Sequence, residues 1–485
     1  MKRNARRSAS LWTAAVAFLS VGALTGCTTH TQGRAVSIYN DPFAVAGLPT
    51  TDGPTGPRPG VAAANRPVTN TDHGPVDTLA TNAIDDIEGY WKTEYPKVFR
   101  GTFEPVGELV SWDSTAPRRS ALQFCGDRTA GLVNAGYCVS DNTIGWDRKT
   151  MLPSMIDSFG PMAVVMVLAH EYGHAVQHHS GLATEDDPGI VREQQADCFA
   201  GAFMRYVAED HAPHFTLNTS TGLNSVLAAT VSIRDADPND PDSVHGSAFE
   251  RVTAVQIGFT DGPTACAKID ADEIEARRGG LPQAFDDPSD TGELPITADT
   301  VKEFDKALTS ILPVPNEPNL SLSGSSMRCA DARPTPPVSY CPTSNTIGID
   351  LAELAKRGTP NTEPESGLPV TVTGDYTAYV LVASRYTLAV QKSHGQALSD
   401  PKTALRAACL SGVITAALGS PDRDPTHGDF VLSPGDLDEA VSALLSDGLA
   451  ASDVDGRTVP SGFSRVDAFR AGVLGGENAC ANRYS

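Results

Sequence analysis

Past residue 24 the chain has no apolar run long enough to cross a membrane. The best candidate, Met162–Ala169, stops at His170 and Glu171, far short of the roughly 20 residues a spanning helix needs. A surplus of positive charge is also missing: 37 Lys and Arg stand against 59 Asp and Glu, a net charge of −22. A polyanion repels phosphate backbones, so neither nucleic acid nor an anionic membrane surface is expected as a partner. The charge reads as a solvated acidic surface. Core material is not lacking. The 40% hydrophobic and 20% charged residues rule out wholesale disorder. A length of 485 residues sets a prior of about two to four domains. The 43 Gly and 35 Pro predict long loops or a linker.

The N-terminus reads as a targeting segment. Lys2, Arg3, Arg6 and Arg7 open the chain without an acid, and an apolar run follows from Leu11 to Leu24. This is the order of a secretory signal. Its end, Leu24-Thr25-Gly26-Cys27, resembles a bacterial lipobox, which makes Cys27 the lipidation site. A plain signal peptide or a short anchor are the alternatives, but the run is short and rich in small residues. The Arg6-Arg7 pair hints at twin-arginine export. Loss of residues 1–26 removes four positive charges, taking −22 to −26. The chain is then expected on the extracytoplasmic side of the cell membrane, lipid-anchored and not embedded. Residues 27–78, rich in Thr, Gly, Pro and Ala and without periodicity, read as a flexible stalk with a coil reach of about 40 Å.

Apart from Cys27, the cysteines fall into two sets of four: Cys125, Cys138, Cys198, Cys266, then Cys329, Cys341, Cys409, Cys480. The surrounding sequence repeats with them. Tyr137-Cys138 with Asn142-Thr143-Ile144-Gly145 returns as Tyr340-Cys341 with Asn345-Thr346-Ile347-Gly348. Ala175-Val176-Gln177 returns as Ala389-Val390-Gln391, and Arg251-Val252 as Arg465-Val466. This order reads as a gene duplication, with halves at 79–280 and 296–485 and a joint near Gly279–Pro295. Shared pairing leaves three within-half disulfide patterns. The near-neighbour one is favoured: Cys125–Cys138, Cys198–Cys266, Cys329–Cys341 and Cys409–Cys480.

His170-Glu171-Tyr172-Gly173-His174 is an H-E-x-x-H. Residues four apart share a helix face, so both imidazoles can reach one metal. Met162–Leu168 gives that helix an apolar body, and Gly181 is its stop signal. Asp187-Pro188 reads as the N-cap and first residue of a second helix. On it, Glu193 and Asp197 are four apart. One of the two carboxylates can complete a His₂Glu site, and the other can hold the far nitrogen of a ligand histidine.

The segments His170–Gln177 and Glu193–Gly201, with Cys125-Gly126, Tyr137-Cys138, His245-Gly246-Ser247 and Arg251, resemble the bacterial neutral zinc metallopeptidases (YpfJ-like). The likeness covers about residues 80–270. With the lipobox, the chain is also similar to actinobacterial lipoprotein peptidases. The resemblance implies a gluzincin-type site with Zn²⁺ on His170, His174 and Glu193. Integral-membrane zinc proteases pair E-x-x-x-D with a later His-x₅-Arg, a spacing that His245 and Arg251 match. The implied fold is α+β, mainly helical and zincin-like, with a second degenerate copy.

The second half serves as an internal control. Opposite His170, Glu171 and His174 stand Ser384, Arg385 and Leu388. Opposite Glu193, Asp197 and His245 stand Ala404, Ala408 and Val459. The joint loss marks His245 as a site residue. The retention of Arg465, Tyr386 and Gln391 suggests that Arg251, Tyr172 and Gln177 serve the fold. His178 and His179 read as surface positions. The expected chemistry is peptide hydrolysis. Glu171 is the general base, Asp197 orients a ligand histidine, and His245, or else Arg251, stabilises the oxyanion. A strand over Asn142–Trp146 is expected to pair with extended substrate. The partner is a peptide or protein of the cell envelope. Hydrolysis of another amide, or a non-enzymatic envelope scaffold, are the competing functions.

Overall fold

The computed structural model describes residues 41–184, 186–234, 245–278, 281–282, 292–360, 372–420 and 430–484. The signal segment, Cys27 and most of the expected joint lie outside them. The described residues build an α+β fold that is mainly helical. Three short strands, β1 (Ala44–Val45), β2 (Leu48–Pro49) and β3 (Gly56–Pro57), precede α1 (Pro75–Val98). Strands β4 (Glu108–Trp112), β5 (Gln123–Phe124), β6 (Asp127–Arg128), β7 (Ala135–Cys138) and β8 (Thr143–Asp147) follow. Then come α2 (Met151–Phe159), α3 (Pro161–Ser180), α4 (Gly189–Ala208), β9 (Phe215–Thr216), α5 (Thr221–Ser232), α6 (Ala248–Asp261), α7 (Pro263–Cys266) and α8 (Ala271–Arg278). The second half adds α9 (Ala298–Ile311), β10 (Asn319–Ser321), β11 (Val338–Cys341), β12 (Thr346–Ile349), α10 (Leu351–Arg357), α11 (Asp375–Ser393), α12 (Pro401–Gly419), α13 (Asp436–Leu445) and α14 (Gly462–Arg483). No described helix is long and apolar enough to cross a membrane.

Two three-stranded sheets have the same build. In the first, β8 lies between parallel β4 and antiparallel β7. In the second, β12 lies between parallel β10 and antiparallel β11. The registers match, with Tyr137 opposite Ile144 and Tyr340 opposite Ile347. Each hairpin turns through an Asn with positive φ, at Asn142 and Asn345. In each, the tyrosine hydroxyl bonds to that asparagine's side chain, at 3.1 and 2.7 Å. All four disulfides join the near neighbours expected from the cysteine spacing.

The helices repeat as well. Helices α3, α4 and α6 pack together in the first half, and α11, α12 and α14 in the second. Both α3 and α11 are buried on almost every side, which an apolar body on both faces demands. The α4–α6 crossing is close enough that a Cβ on Gly258 would stand 1.8 Å from the Cys198 carbonyl oxygen. On Gly472, at the α12–α14 crossing, it would stand 1.8 Å from that of Cys409.

Residues 41–74 are not a free stalk. Strand β3 pairs with β9. The Thr51 amide donates to Thr219 Oγ1 at 2.9 Å, Asn218 Nδ2 to the Gly53 carbonyl at 2.7 Å, and the Arg58 amide to the His214 carbonyl at 2.7 Å. Arg66 Nη2 lies 3.0 Å from Glu88 Oε1, and Thr69 bridges to Val110. The strap is held through backbone groups and short polar side chains. Such contacts leave no apolar period in the sequence, which is why composition alone suggests a coil. A chain beginning at residue 75 is therefore expected to melt several degrees below one beginning at 41; equal melting in calorimetry would contradict this packing.

The described residues of the two halves form one compact unit. Asp438 on α13 accepts the Phe249 amide at 3.1 Å and pairs with Arg234 at 3.2 Å. Gln256 donates to the Phe463 carbonyl at 2.9 Å, and the Phe259 and Phe463 rings lie 5.1 Å apart.

Candidate metal centre

Helix α3 starts on Pro161, whose fixed φ suits a first turn, after Gly160 at φ 83°. It ends where Gly181, at φ 66°, turns its amide back to the carbonyls of Gln177 and His178, a stop that glycine makes without strain. One helical turn apart, His170 and His174 place their rings edge to face, 4.8 Å between centroids. Helix α4 begins at Gly189 and not with an Asp187 cap. The Asp187 carboxylate instead accepts the amide and hydroxyl of Thr184, at 2.8 and 3.0 Å, closing the loop before the helix.

Glu193 on α4 faces both imidazoles. Its Oε2 is 3.2 Å from His170 Nε2, and its Oε1 is 3.5 Å from His174 Nε2. Ligand atoms of the three residues all lie within 4.8 Å of one another, so they could hold a metal ion. Glu193 Oε2 is sealed from solvent yet has no hydrogen-bond partner. Its nearest nitrogen is close but misaligned, as expected where lone pairs converge on a shared cation rather than on each other.

The far nitrogens are pinned. His170 Nδ1 is 2.8 Å from Asp197 Oδ1, and His174 Nδ1 is 2.9 Å from Gln177 Oε1. With acceptors on that side, both rings carry the proton on Nδ1 and turn Nε2 inward. Gln177 is itself held by the Arg192 carbonyl at 2.7 Å and by Gln195 Oε1 at 2.9 Å. Its assignment to the fold alone was therefore incomplete. The signal that could have revealed this is its spacing, three residues from His174 on one helix face.

Burial by itself would lower the His170 pKa, but Asp197 and Glu193 override it and hold it up at about 10. Burial would likewise raise the acids. Against it, His170 and His174 hold Glu193 far below the usual carboxylate range, and Arg251 and His170 hold Asp197 below its own.

Glu171 lies beside the cluster without joining it. Burial pushes its carboxyl upward, against the pull of His170 and His174. Its Oε2 accepts the Tyr137 amide at 3.0 Å. This contact corrects the expected substrate strand. Asn142–Trp146 falls on β8, which is flanked on both sides and has no free edge. The free edge is β7. Because the Tyr137 amide points at Glu171, antiparallel alternation directs Ala135 to the same side.

A cavity of about 420 Å³ opens here, lined by Gly136, Tyr137, His178, Thr184, Arg192 and His245, among others. His178 is thus a cavity residue, its Nδ1 2.9 Å from the Tyr137 hydroxyl. His245 Nε2 sits 3.8 Å from Glu193 Oε2, with 43% of its side chain exposed. Arg251 is not among the residues that line the cavity. Its guanidinium is 1% exposed and spans both Asp197 oxygens, at 2.8 and 2.9 Å.

The matching place in the second half is closed. Ser384, Arg385, Leu388, Ala404, Ala408 and Val459 are all fully buried. Arg385 fills the space, donating to the carbonyls of Leu449 and Asp453 and to Ser452 Oγ.

No protein-family model matches the chain, and no solved structure matches it. Uncharacterized proteins of Mycobacterium bovis and of two strains of Mycobacterium tuberculosis are 27% identical over 167 residues, covering 29% of this chain. The chain spans 57% of the length of these relatives.

Proposed function

We propose that the chain is a lipid-anchored, extracytoplasmic zinc metallopeptidase with one working centre, and that its second half is a degenerate zincin-like copy. The observation that carries this reading is the convergence of His170, His174 and a buried Glu193 oxygen that makes no hydrogen bond, beside a non-ligating Glu171. Two imidazoles and one carboxylate with an open side suit catalytic zinc. Bound there, zinc would lower the pKa of a water toward neutrality and polarise a peptide carbonyl.

The chain's own residues do the rest. Asp197 and Gln177 hold the ligand histidines in the tautomer that presents Nε2. Glu171, fixed by the Tyr137 amide, takes the proton of the attacking water and returns it to the leaving amine. His245, at the cavity rim, donates to the developing oxyanion. The β7 edge at Ala135 pairs with an extended peptide, which selects backbone over side chain. Four disulfides support an oxidising compartment.

The test compares the purified protein with Glu171→Ala on a proteome-derived peptide library, with bound metal measured. Cleavage is expected to fall by about 10²–10⁴-fold while zinc stays bound. Equal cleavage by both forms, or no metal in either, would overturn the assignment.

A further inference from the structure

The second half carries a group of carboxyls that zinc chemistry does not use. Glu293 lies in the segment leading from the first half to the second, Asp375 opens α11, and Asp436 and Glu439 lie in the first turn of α13. Glu293, Asp375 and Glu439 each bring a carboxylate oxygen within 4.8 Å of the others. Asp375, Asp436 and Glu439 are 3%, 5% and 6% exposed.

Backbone bonds lock this arrangement. Glu439 Oε2 accepts the amides of Tyr376 and Thr377 at 2.7 and 3.3 Å. Glu293 Oε2 accepts the Asp375 amide at 3.0 Å, and Asp375 Oδ2 the Leu294 amide at 2.6 Å. Glu439 Oε1 and Glu293 Oε1 both crowd the open side of Gly374. A Cβ on Gly374 would stand 1.9 Å from Glu439 Oε1 and 2.7 Å from Glu293 Oε1, so glycine is what lets both approach. Asp375 Oδ1 is sealed from solvent and has no hydrogen-bond partner. Among the described residues, no Lys or Arg pairs with any of the four acids. The α11 dipole amounts to about half a charge, too little to balance them.

We propose that Glu293, Asp375 and Glu439, backed by Asp436, form a divalent-cation site of the calcium type. Every donor is a carboxylate oxygen, which suits a hard cation and not zinc. Oxygens that share a calcium ion at about 2.4 Å can be no more than about 4.8 Å apart, and the three carboxylates meet that bound. Without an ion the acids can stay buried only by keeping protons; burial, and then their neighbours, push Asp375, Asp436 and Glu439 upward. The first half offers no counterpart, because Gly160 and Pro161 stand where Gly374 and Asp375 do. The ion would tie together the inter-half segment, α11 and α13, and through Asp438 on α13 the contact with the first half.

The full-length protein, stripped of metal, is titrated with calcium chloride by calorimetry and followed by thermal unfolding. One calcium per chain is expected, with Tm rising by about 3 °C at calcium a hundredfold above its Kd. His170→Ala should keep this response, since the zinc ligands lie elsewhere. Asp375→Asn and, separately, Glu439→Gln should abolish it; both keep the shape and an oxygen for the amides they serve. The proposal is overturned if wild type binds no calcium, if both carboxamide variants respond as wild type does, or if His170→Ala removes the response.

Discussion

Asp197→Ala is expected to destabilise the first half by about 3–5 kcal/mol and to weaken zinc binding about 10–100-fold. The two effects have different causes. Arg251 is buried in bidentate contact with Asp197, and removing the carboxylate strands a guanidinium with no water to solvate it. His170 also loses the acceptor on Nδ1, so its ring is free to turn and its tautomer is no longer set. A second substitution separates these losses. Asp197→Ala/Arg251→Met removes the stranded charge and should recover most of the stability while leaving zinc affinity low. Recovery of both, measured by denaturant unfolding and competitive zinc titration, would show that Asp197 does not position the metal ligand. The second half has already made the corresponding change. Ala408 replaces the aspartate there, and Arg465 turns to the carbonyls of Val459 and Leu445, at 3.4 and 3.3 Å.

What the sequence made legible was local or repeated. The pairing of His170 with His174, and of Glu193 with Asp197, follows from the helical period, which fixes which side chains share a face. The disulfides followed because the repeated order of the cysteines reduced the pairings, and each partner is the next cysteine along the chain. The misreadings were tertiary. A strand over Asn142–Trp146 was expected from the zincin-like resemblance, but its central place in the sheet was not legible. That place depends on β4 arriving in parallel on the far side, which leaves β7 as the edge. Arg251 was visible as a cation at a suggestive spacing. Whether it served substrate or Asp197 was settled by burial, because a fully enclosed guanidinium must meet an enclosed acid or carbonyl. Gln177 was judged by its retention in the second half, where Gln391 keeps the matching bonds to the Thr403 carbonyl and to residue 406 but has Leu388 and no histidine to hold. One residue type filled two roles, and retention alone could not distinguish them. The carboxyl cluster at Gly374 was out of reach for a simpler reason: its members come from three separate segments.

Gly258→Ala and Gly472→Ala should be equally costly in stability, but only the first should weaken metal binding. Each added methyl would stand 1.8 Å from a backbone carbonyl oxygen of the crossing helix, of Cys198 in one half and Cys409 in the other. A backbone atom cannot swing aside as a side chain can, so the helices must separate. Overpacking of this kind costs about 1–3 kcal/mol and occasionally more; helix propensity returns about 1 kcal/mol of it. Cys409–Cys480 ties α12 to α14, and Cys198–Cys266 ties α4 to α7, the short helix after α6, so sliding α4 or α12 away gives the strain little escape. In the first half the separation falls between Asp197 on α4 and Arg251 on α6, whose bond keeps the His170 support in place. Gly258→Ala is therefore expected to lower zinc affinity along with stability. Gly472→Ala strains α12 against α14, where Ala404 and Ala408 offer no ligand, and should leave zinc affinity as it is. If the two variants lose zinc to the same extent, the halves do not keep separate accounts of packing, and the metal centre depends on the second half as much as on its own helices.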